Sequence, residues 1–297
     1  MAKIDYTYYH KKDLYSDGDI ENELLEIVST KTEEEIADYL LTDSRWPIYY
    51  HLSKKRRNIL DPIDITKEDS VLEIGSGCGA ITTGLVKKAK DVTCVELSKR
   101  RTAINYERNK EYDNLLIYVG NFDEVVLPKK YDKIFLIGVL EYAKLYYPNQ
   151  NNPFVHLLKK VKSLLNEGGA LYIAIENKYG MKYFSGASED HLGTMFESIE
   201  GYKNNVSVET FSSFQLRSMI KESGFDSSYF YYPLPDYKFP VVIYSEDYLP
   251  LENEIKNVAH ALDRPRYIMF DESKALNESV KSGTFDVFCN SFLIMAK

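Results

Sequence analysis

The residues of this chain best suited to chemistry form one run: Glu73, Ile74, Gly75, Ser76, Gly77, Cys78, Gly79 and Ala80. The run follows the apolar pair Val71-Leu72 and precedes a helical pattern, so its glycines fall where a strand turns into a helix. Glycine lets a backbone turn sharply there and approach a ligand closely. In an open parallel sheet that ligand sits at the carboxyl ends of the strands, where helix N-termini point. Glu96 stands 17 residues beyond Gly79, at the end of the next apolar run. A carboxylate there can accept hydrogen bonds from both hydroxyls of a ribose. Glu73, two residues before the first glycine, suits a positively charged ligand and has no role at a pyrophosphate.

Gly75, Gly77 and Ala80 also satisfy the dinucleotide pattern GxGxxA, which makes a nicotinamide-dependent oxidoreductase the first rival reading. Such an enzyme wants a Tyr-x-x-x-Lys pair, and neither Tyr142 nor Tyr179 has a lysine four residues on. A non-catalytic scaffold that binds the same cofactor is the second rival.

Acid–base candidates lie further along. His191 sits in Ser188-Glu189-Asp190-His191, within a segment leaving the end of the fifth strand. The carboxylates beside it can hold the imidazole in a basic tautomer, the form a poorly nucleophilic alcohol needs as general base. Glu176 and Asn177 end the fifth strand and are candidates for acceptor binding, Glu176 with a catalytic role. Glu141, at the end of the fourth strand, is a candidate for cofactor or acceptor contact, with helix capping as the competing role. Tyr179 and Tyr183 offer rings for stacking on a sugar or base. His10, His156 and His260 read as structural or exposed, while His51 with Tyr49 and Tyr50 is placed to fold over the cofactor. Arg56 and Arg57 read as a solvated helix face before a phosphate site. Asp17, Asp19 and Glu21 faintly resemble a calcium loop but lack the remaining ligands, so a helix N-cap is expected.

Positioning these residues takes alternating strands and helices. Strands are predicted at 71–74, 92–95, 115–119, 134–137 and 170–175, with helices at 80–90, 98–110 and 154–165 between them. That alternation means a parallel sheet covered on both faces. A helix at 212–223 and a strand at 227–232 follow, and the apolar run 285–295 reads as a last, antiparallel strand. Residues 1–60 are expected to form an N-terminal helical extension or lid on a catalytic domain at 61–297. Insertions at about 176–211 and 233–284 break the rhythm, and loops of that length usually serve function or form lids.

Length and composition suit one sizeable α/β domain: 297 residues, 44% hydrophobic and 28% charged. A net charge of −8 argues against a nucleic-acid partner, whose affinity rests on neutralising phosphates. Cys78, Cys94 and Cys289 lack any CxxC spacing, which points to a reducing compartment and to no structural metal site. No window approaches 18 apolar residues and no signal-peptide core is present, so no membrane span and a cytoplasmic setting are expected.

VLEIGSGCGAIT and VTCVELSKRR resemble the first two motifs of class I S-adenosylmethionine-dependent methyltransferases. YDKIFLIGVLEY and LLNEGGALYIAIEN resemble their fourth- and fifth-strand regions. The resemblance implies a Rossmann-like seven-stranded sheet, mostly parallel, with S-adenosylmethionine as cofactor. It implies that Gly75, Gly77 and Gly79 line the methionyl part, that Glu96 with Leu97 holds the ribose, and that Asn121 and Phe122 bracket adenine. Glu73 and Gly138 join that cofactor set. ENKYGMKYFSGASEDHLG and YYPLPDYKFPVVIYSEDYLP resemble methyltransferases of bacterial surface-polysaccharide synthesis, some of them joined to glycosyltransferases. The expectation is O-methylation of a small or carbohydrate-like acceptor, with a glycosyltransferase as partner. No Asn-Pro-Pro-Tyr run follows the fourth strand, so the signature of nucleobase amino methylation is missing.

Overall fold

The computed structural model describes residues 1–11, 16–203, 207–256 and 263–297. Its strands form one sheet in the order β1-β4-β3-β2-β5-β6-β9-β7-β8. The chain divides into two compact units.

The first unit comprises Met1–Leu136 and Leu164–Ala170. It holds β1 (Lys3–Asp5), β2 (Ser70–Ile74), β3 (Asp91–Glu96), β4 (Leu115–Val119) and most of β5 (Tyr131–Ile137). β2 pairs in parallel with β3 and β5, and β4 pairs in parallel with β3 and β1. β2 is buried along its whole length, as a central parallel strand of apolar residues should be. Among its helices, α1 (Ile20–Thr30), α2 (Glu33–Tyr39) and α3 (Trp46–Leu52) come from the N-terminal region. α4 (Thr82–Lys88) and α5 (Lys99–Asn109) follow the second and third strands. Leu24, Ile27 and Val28 on α1, Ile36 on α2, and Ile48 and Leu52 on α3 pack with Cys78 and Ile104 into one cluster. The N-terminal helices therefore share a core with the glycine loop. The division between units falls after Leu136 and not at the expected boundary of residue 60.

The second unit comprises Ile137–Ser163 and Leu171–Lys297. After α6 (Ala143–Tyr146) and α7 (Pro153–Ser163) comes β6 (Leu165–Glu176), whose second half belongs here. α8 (Met181–Phe184), α9 (Ser213–Glu222), β7 (Ser228–Leu234) and β8 (Val242–Ser245) follow. α10 (Glu272–Lys281), α11 (Phe285–Phe288) and β9 (Ser291–Ala296) end the chain. β9 runs antiparallel to both β6 and β7, as expected for a last strand in this Rossmann-like class of sheet.

Two expectations need correction. Among the described residues the sheet has nine strands and not seven, because β1 and β8 are added at its edges. β1 is a three-residue strand in a segment read as helical, and β8 extends β7 as a hairpin inside the second insertion. The terminal apolar run is also not one strand: 285–288 form α11, and only 291–296 enter the sheet. An apolar run lacking alternation does not tell a buried helix turn from a buried strand.

Candidate functional site

The glycine loop continues the sheet for one residue, with Gly75 N–H donating to Val95 at 2.8 Å, and then turns away. Gly75, Gly77 and Gly79 all have positive φ, at 75°, 50° and 80°. At Gly79 a side chain is excluded twice over, since a Cβ there would lie 2.4 Å from the Asn105 side-chain oxygen on α5. A Cβ at Gly77 would meet nothing within 4 Å, so this is the open part of the loop.

Glu96 reaches that open part from the end of β3. One of its oxygens accepts from Gly77 N–H at 2.7 Å and the other from Ser98 N–H at 2.9 Å. Burial raises its pKa while these amides and Arg101 pull the other way. The carboxylate is thereby oriented along the loop, and each oxygen keeps a lone pair for a further donor.

Glu73 is placed differently from expectation. Its carboxyl is buried inside the unit, where the Thr82 hydroxyl donates to it at 2.6 Å and the Cys94 thiol at 3.5 Å. It ties β2 to α4 and β3 beneath the loop, and burial pushes its pKa up to about 7. Asn121 holds its own turn, accepting from Asp123 N–H at 3.0 Å, with Phe122 buried beside it. Next to them Gly120 is crossed by the N-terminal arm, for a Cβ would stand 2.6 Å from Cβ of Tyr8. Tyr8, edge-on to Tyr118, is thus an aromatic at the end of β4 that sequence reading missed. Only pairing of β1 with β4 brings it there.

The N-terminal acids meet bases of α5. Arg101 pairs with Asp17 at 2.7 Å and Glu21 at 3.0 Å, and His51 contacts Asp17 at 2.9 Å. His51 is buried and kept neutral by that burial, against the pull of Asp17. Arg57 pairs with Glu33 and donates to the Ala80 carbonyl at 3.3 Å, while Arg56 stacks on Tyr50. These arginines brace the loop from behind, and the reading of a solvated face is corrected.

The second unit gathers charge on a larger scale. His191 Nδ1 lies 2.8 Å from Glu189, and its Nε2 lies 3.5 Å from Glu141 and 3.9 Å from Glu176. Glu141 and Glu176 are 1% and 0% exposed. Lys238 bridges Glu176 and Asp190, and Lys182 lies 2.8 Å from Asp190. Burial opposes the imidazolium, yet the carboxylates of Glu176, Glu141 and Glu189 outweigh it and hold the His191 pKa well above its usual value. The carboxylates around it thus favour the protonated form of the imidazole that was expected to act as a base. Burial raises the pKa of Glu141, whereas Lys238 and His191 overcome burial and lower that of Glu176. Glu189 and Asp190 are the flanking acids expected to hold the imidazole, whereas nothing in the sequence singles out Lys182 and Lys238. The flanking acids of His191 were its one visible signal, and Lys238 lies in an insertion 47 residues away.

Other expected residues are committed elsewhere. The Asn177 amide donates to the carbonyls of Val287 and Cys289 at 2.8 and 2.7 Å, joining β6 to the approach to β9. Tyr183 is fully buried, its hydroxyl donating to Asp190 at 2.5 Å, so its ring offers no stacking face. Tyr179 lies under Lys178. Gly138 belongs to the second unit, where a Cβ would stand 2.9 Å from the Tyr237 hydroxyl and 3.6 Å from Glu141. Leu97 is half-buried after β3. His10 is exposed beside Glu124, His156 stacks with Tyr147, and His260 lies outside the described residues. All three cysteines are free and buried. Among the described residues no helix is long and apolar enough to cross a membrane.

A family model described as ribosomal RNA adenine dimethylase matches residues 51–153, which contain the glycine loop, Glu96, Asn121, Gly138 and Glu141. A ribosomal RNA small subunit methyltransferase A of Clostridium acetobutylicum is 29% identical over 148 residues, covering 49% of this chain and 50% of that protein. Its counterpart in Clostridium botulinum (strain Okra / Type B1) is 39% identical over 90 residues, covering 29% and 32%. The chain thus spans half or less of the length of these curated relatives. A solved DhpI–S-adenosylhomocysteine complex matches 95% of this chain and 98% of its own at 13% identity and a TM-score of 0.47. The expectation of no nucleic-acid partner is overturned by the relatives, which are named for ribosomal RNA. Net charge sums the whole surface, whereas contact with phosphates depends on a local patch.

Proposed function

We propose that this chain is an S-adenosylmethionine-dependent methyltransferase whose first unit holds the cofactor. The observation that carries the reading is the open, positive-φ Gly77 with the Glu96 carboxylate fixed against its amide. The family match over residues 51–153 and the names of the curated relatives support it. Gly75, Gly77 and Gly79 would flank the methionyl part, Glu96 the ribose hydroxyls, and Asn121 with Phe122 the adenine. The cofactor supplies a methyl group on a sulfonium, already a good electrophile, so the protein contributes mainly position and a destination for the acceptor's proton.

In the second unit Glu141 is the candidate base, because a carboxyl whose pKa is raised by burial is a stronger base at neutral pH. His191, carrying its proton, is a hydrogen-bond donor to the acceptor, and Glu176 with Lys238 positions it. A carbohydrate-like oxygen acceptor, with the surface-polysaccharide setting, rests on the resemblance of residues 176–193 and 231–250. A ribosomal RNA adenine is the second reading, and the match over residues 51–153 favours it.

Calorimetric titration with S-adenosylmethionine, S-adenosylhomocysteine and NAD tests the cofactor. Binding of the first two alone is the expected result, and binding of NAD alone overturns the reading. Transfer of labelled methyl groups to small-subunit ribosomal RNA or to glycans then separates the two acceptors.

A further inference from the structure

We infer that Glu141, Glu176 and His191 form a binding site for one divalent transition-metal cation. One donor atom from each lies within 4.8 Å of the other two, with His191 Nε2 3.5 Å from one Glu141 oxygen and 3.9 Å from one Glu176 oxygen. Two donors on one ion at about 2.1 Å stand no more than about 4.2 Å apart, so an ion fits with little movement of the imidazole. Two further observations point to a cation. Glu141 Oε2 and Glu176 Oε2 are buried and have no hydrogen-bond partner. A buried carboxylate oxygen left so costs about 1–3 kcal/mol, which a cation bound by these carboxylates would offset.

The charges agree. Glu141, Glu176 and Glu189 surround His191, while Glu176, Asp190 and Asp236 meet the two ammonium groups of Lys182 and Lys238. With His191 neutral these five carboxylates outnumber the two ammonium groups, and a divalent ion lowers the excess. The second shell is also built. Glu189 takes His191 Nδ1 at 2.8 Å and is itself held by the amides of His191 and Leu192 and by the Tyr202 hydroxyl. A carboxylate on the far ring nitrogen fixes the tautomer that leaves Nε2 free for a metal. One nitrogen with two carboxylates suits Zn²⁺, Fe²⁺ or Mn²⁺ better than Mg²⁺ or Ca²⁺, which take oxygen donors. Three protein ligands leave positions open for solvent or for an oxygen of a substrate.

The site shares residues with the acceptor side of the proposed function but rests on the geometry of the cluster alone, so its test omits the cofactor. The full chain, stripped with a chelator, is titrated with Zn²⁺ and separately with Mn²⁺ by calorimetry, and the Mn²⁺ complex is read by pulsed electron paramagnetic resonance. One ion per chain is expected, with nitrogen coupling from an imidazole. Glu176→Gln and His191→Ala should abolish binding up to millimolar metal, and Glu189→Gln should weaken it about 10- to 100-fold. No binding by the wild-type chain overturns the site, as does affinity unchanged in these variants. Should a variant fail to fold by circular dichroism, the wild-type spectrum decides, and a Mn²⁺ complex without nitrogen coupling overturns the site equally.

Discussion

Around the glycine loop, buried carboxylates are met by donors from neighbouring elements. Glu73 takes a hydroxyl and a thiol, and Glu96 takes two backbone amides. In the second unit, by contrast, Glu141 and Glu176 each bury an oxygen with no hydrogen bond, and His191 and Lys238 offset their charge only in part. The first arrangement is a finished scaffold that leaves one opening at Gly77. The second holds unbalanced charge, and strongly perturbed ionisable groups of that kind gather where function is carried out.

Removing a single charge from the second unit should be the most damaging change. Lys238→Met leaves Glu176 buried without its cation and should cost about 4 kcal/mol in urea unfolding, since breaking a buried pair strands the other charge. A loss no larger than that of an exposed ion pair such as Lys203–Glu200 would erase the contrast between the regions.

In the first unit the comparable liability is steric. Gly79→Ala combines positive φ with a contact against Asn105 and should cost about 3 kcal/mol, whereas Gly77→Ala should cost about 1. Equal losses at the two positions would mean that α5 does not hold the loop from below.

Glu73 makes a pH prediction. Its folded pKa of about 7 lies above the ordinary value of 4.5 for a free glutamate, so the folded state favours the neutral acid. That stability is fully present below about pH 4.5 and declines as pH rises through about 7, by up to about 3 kcal/mol. Urea titrations at acid and alkaline pH, compared with Glu73→Gln, should show the decline in the wild type and a flatter profile in the variant.

The smallest effect is expected at Glu96. Glu96→Gln keeps the volume but weakens the acceptor aimed at a ribose, and S-adenosylmethionine affinity should fall about 10-fold, near 1.4 kcal/mol. Unchanged affinity would remove Glu96 from the ribose site.

The two regions also differ in how far they could be read in advance. The strand, glycine loop, helix and following acid are contiguous or nearly so, and local backbone geometry dictates glycine where φ is positive. Glu73 shows the limit even there. Its position beside the loop was legible, but its partners Thr82 and Cys94 come from α4 and β3, so its facing was not. In the second unit the expected acceptor contacts Asn177 and Tyr183 are engaged internally, Asn177 by the carbonyls of Val287 and Cys289 and the fully buried Tyr183 by Asp190.

By itself, then, the sequence determined the α/β class, the central parallel strands and the placement of a glycine loop after β2. These follow from periodicity and from glycine chemistry, both of which act over a few residues. Tertiary structure decided the two edge strands, the packing of α1–α3 against Cys78, and the meeting of Glu141, Glu176, His191 and Lys238. It also decided that the His191 pKa is held above its usual value, because the field at a side chain is set by charges near in space, and these come from positions up to 97 residues apart.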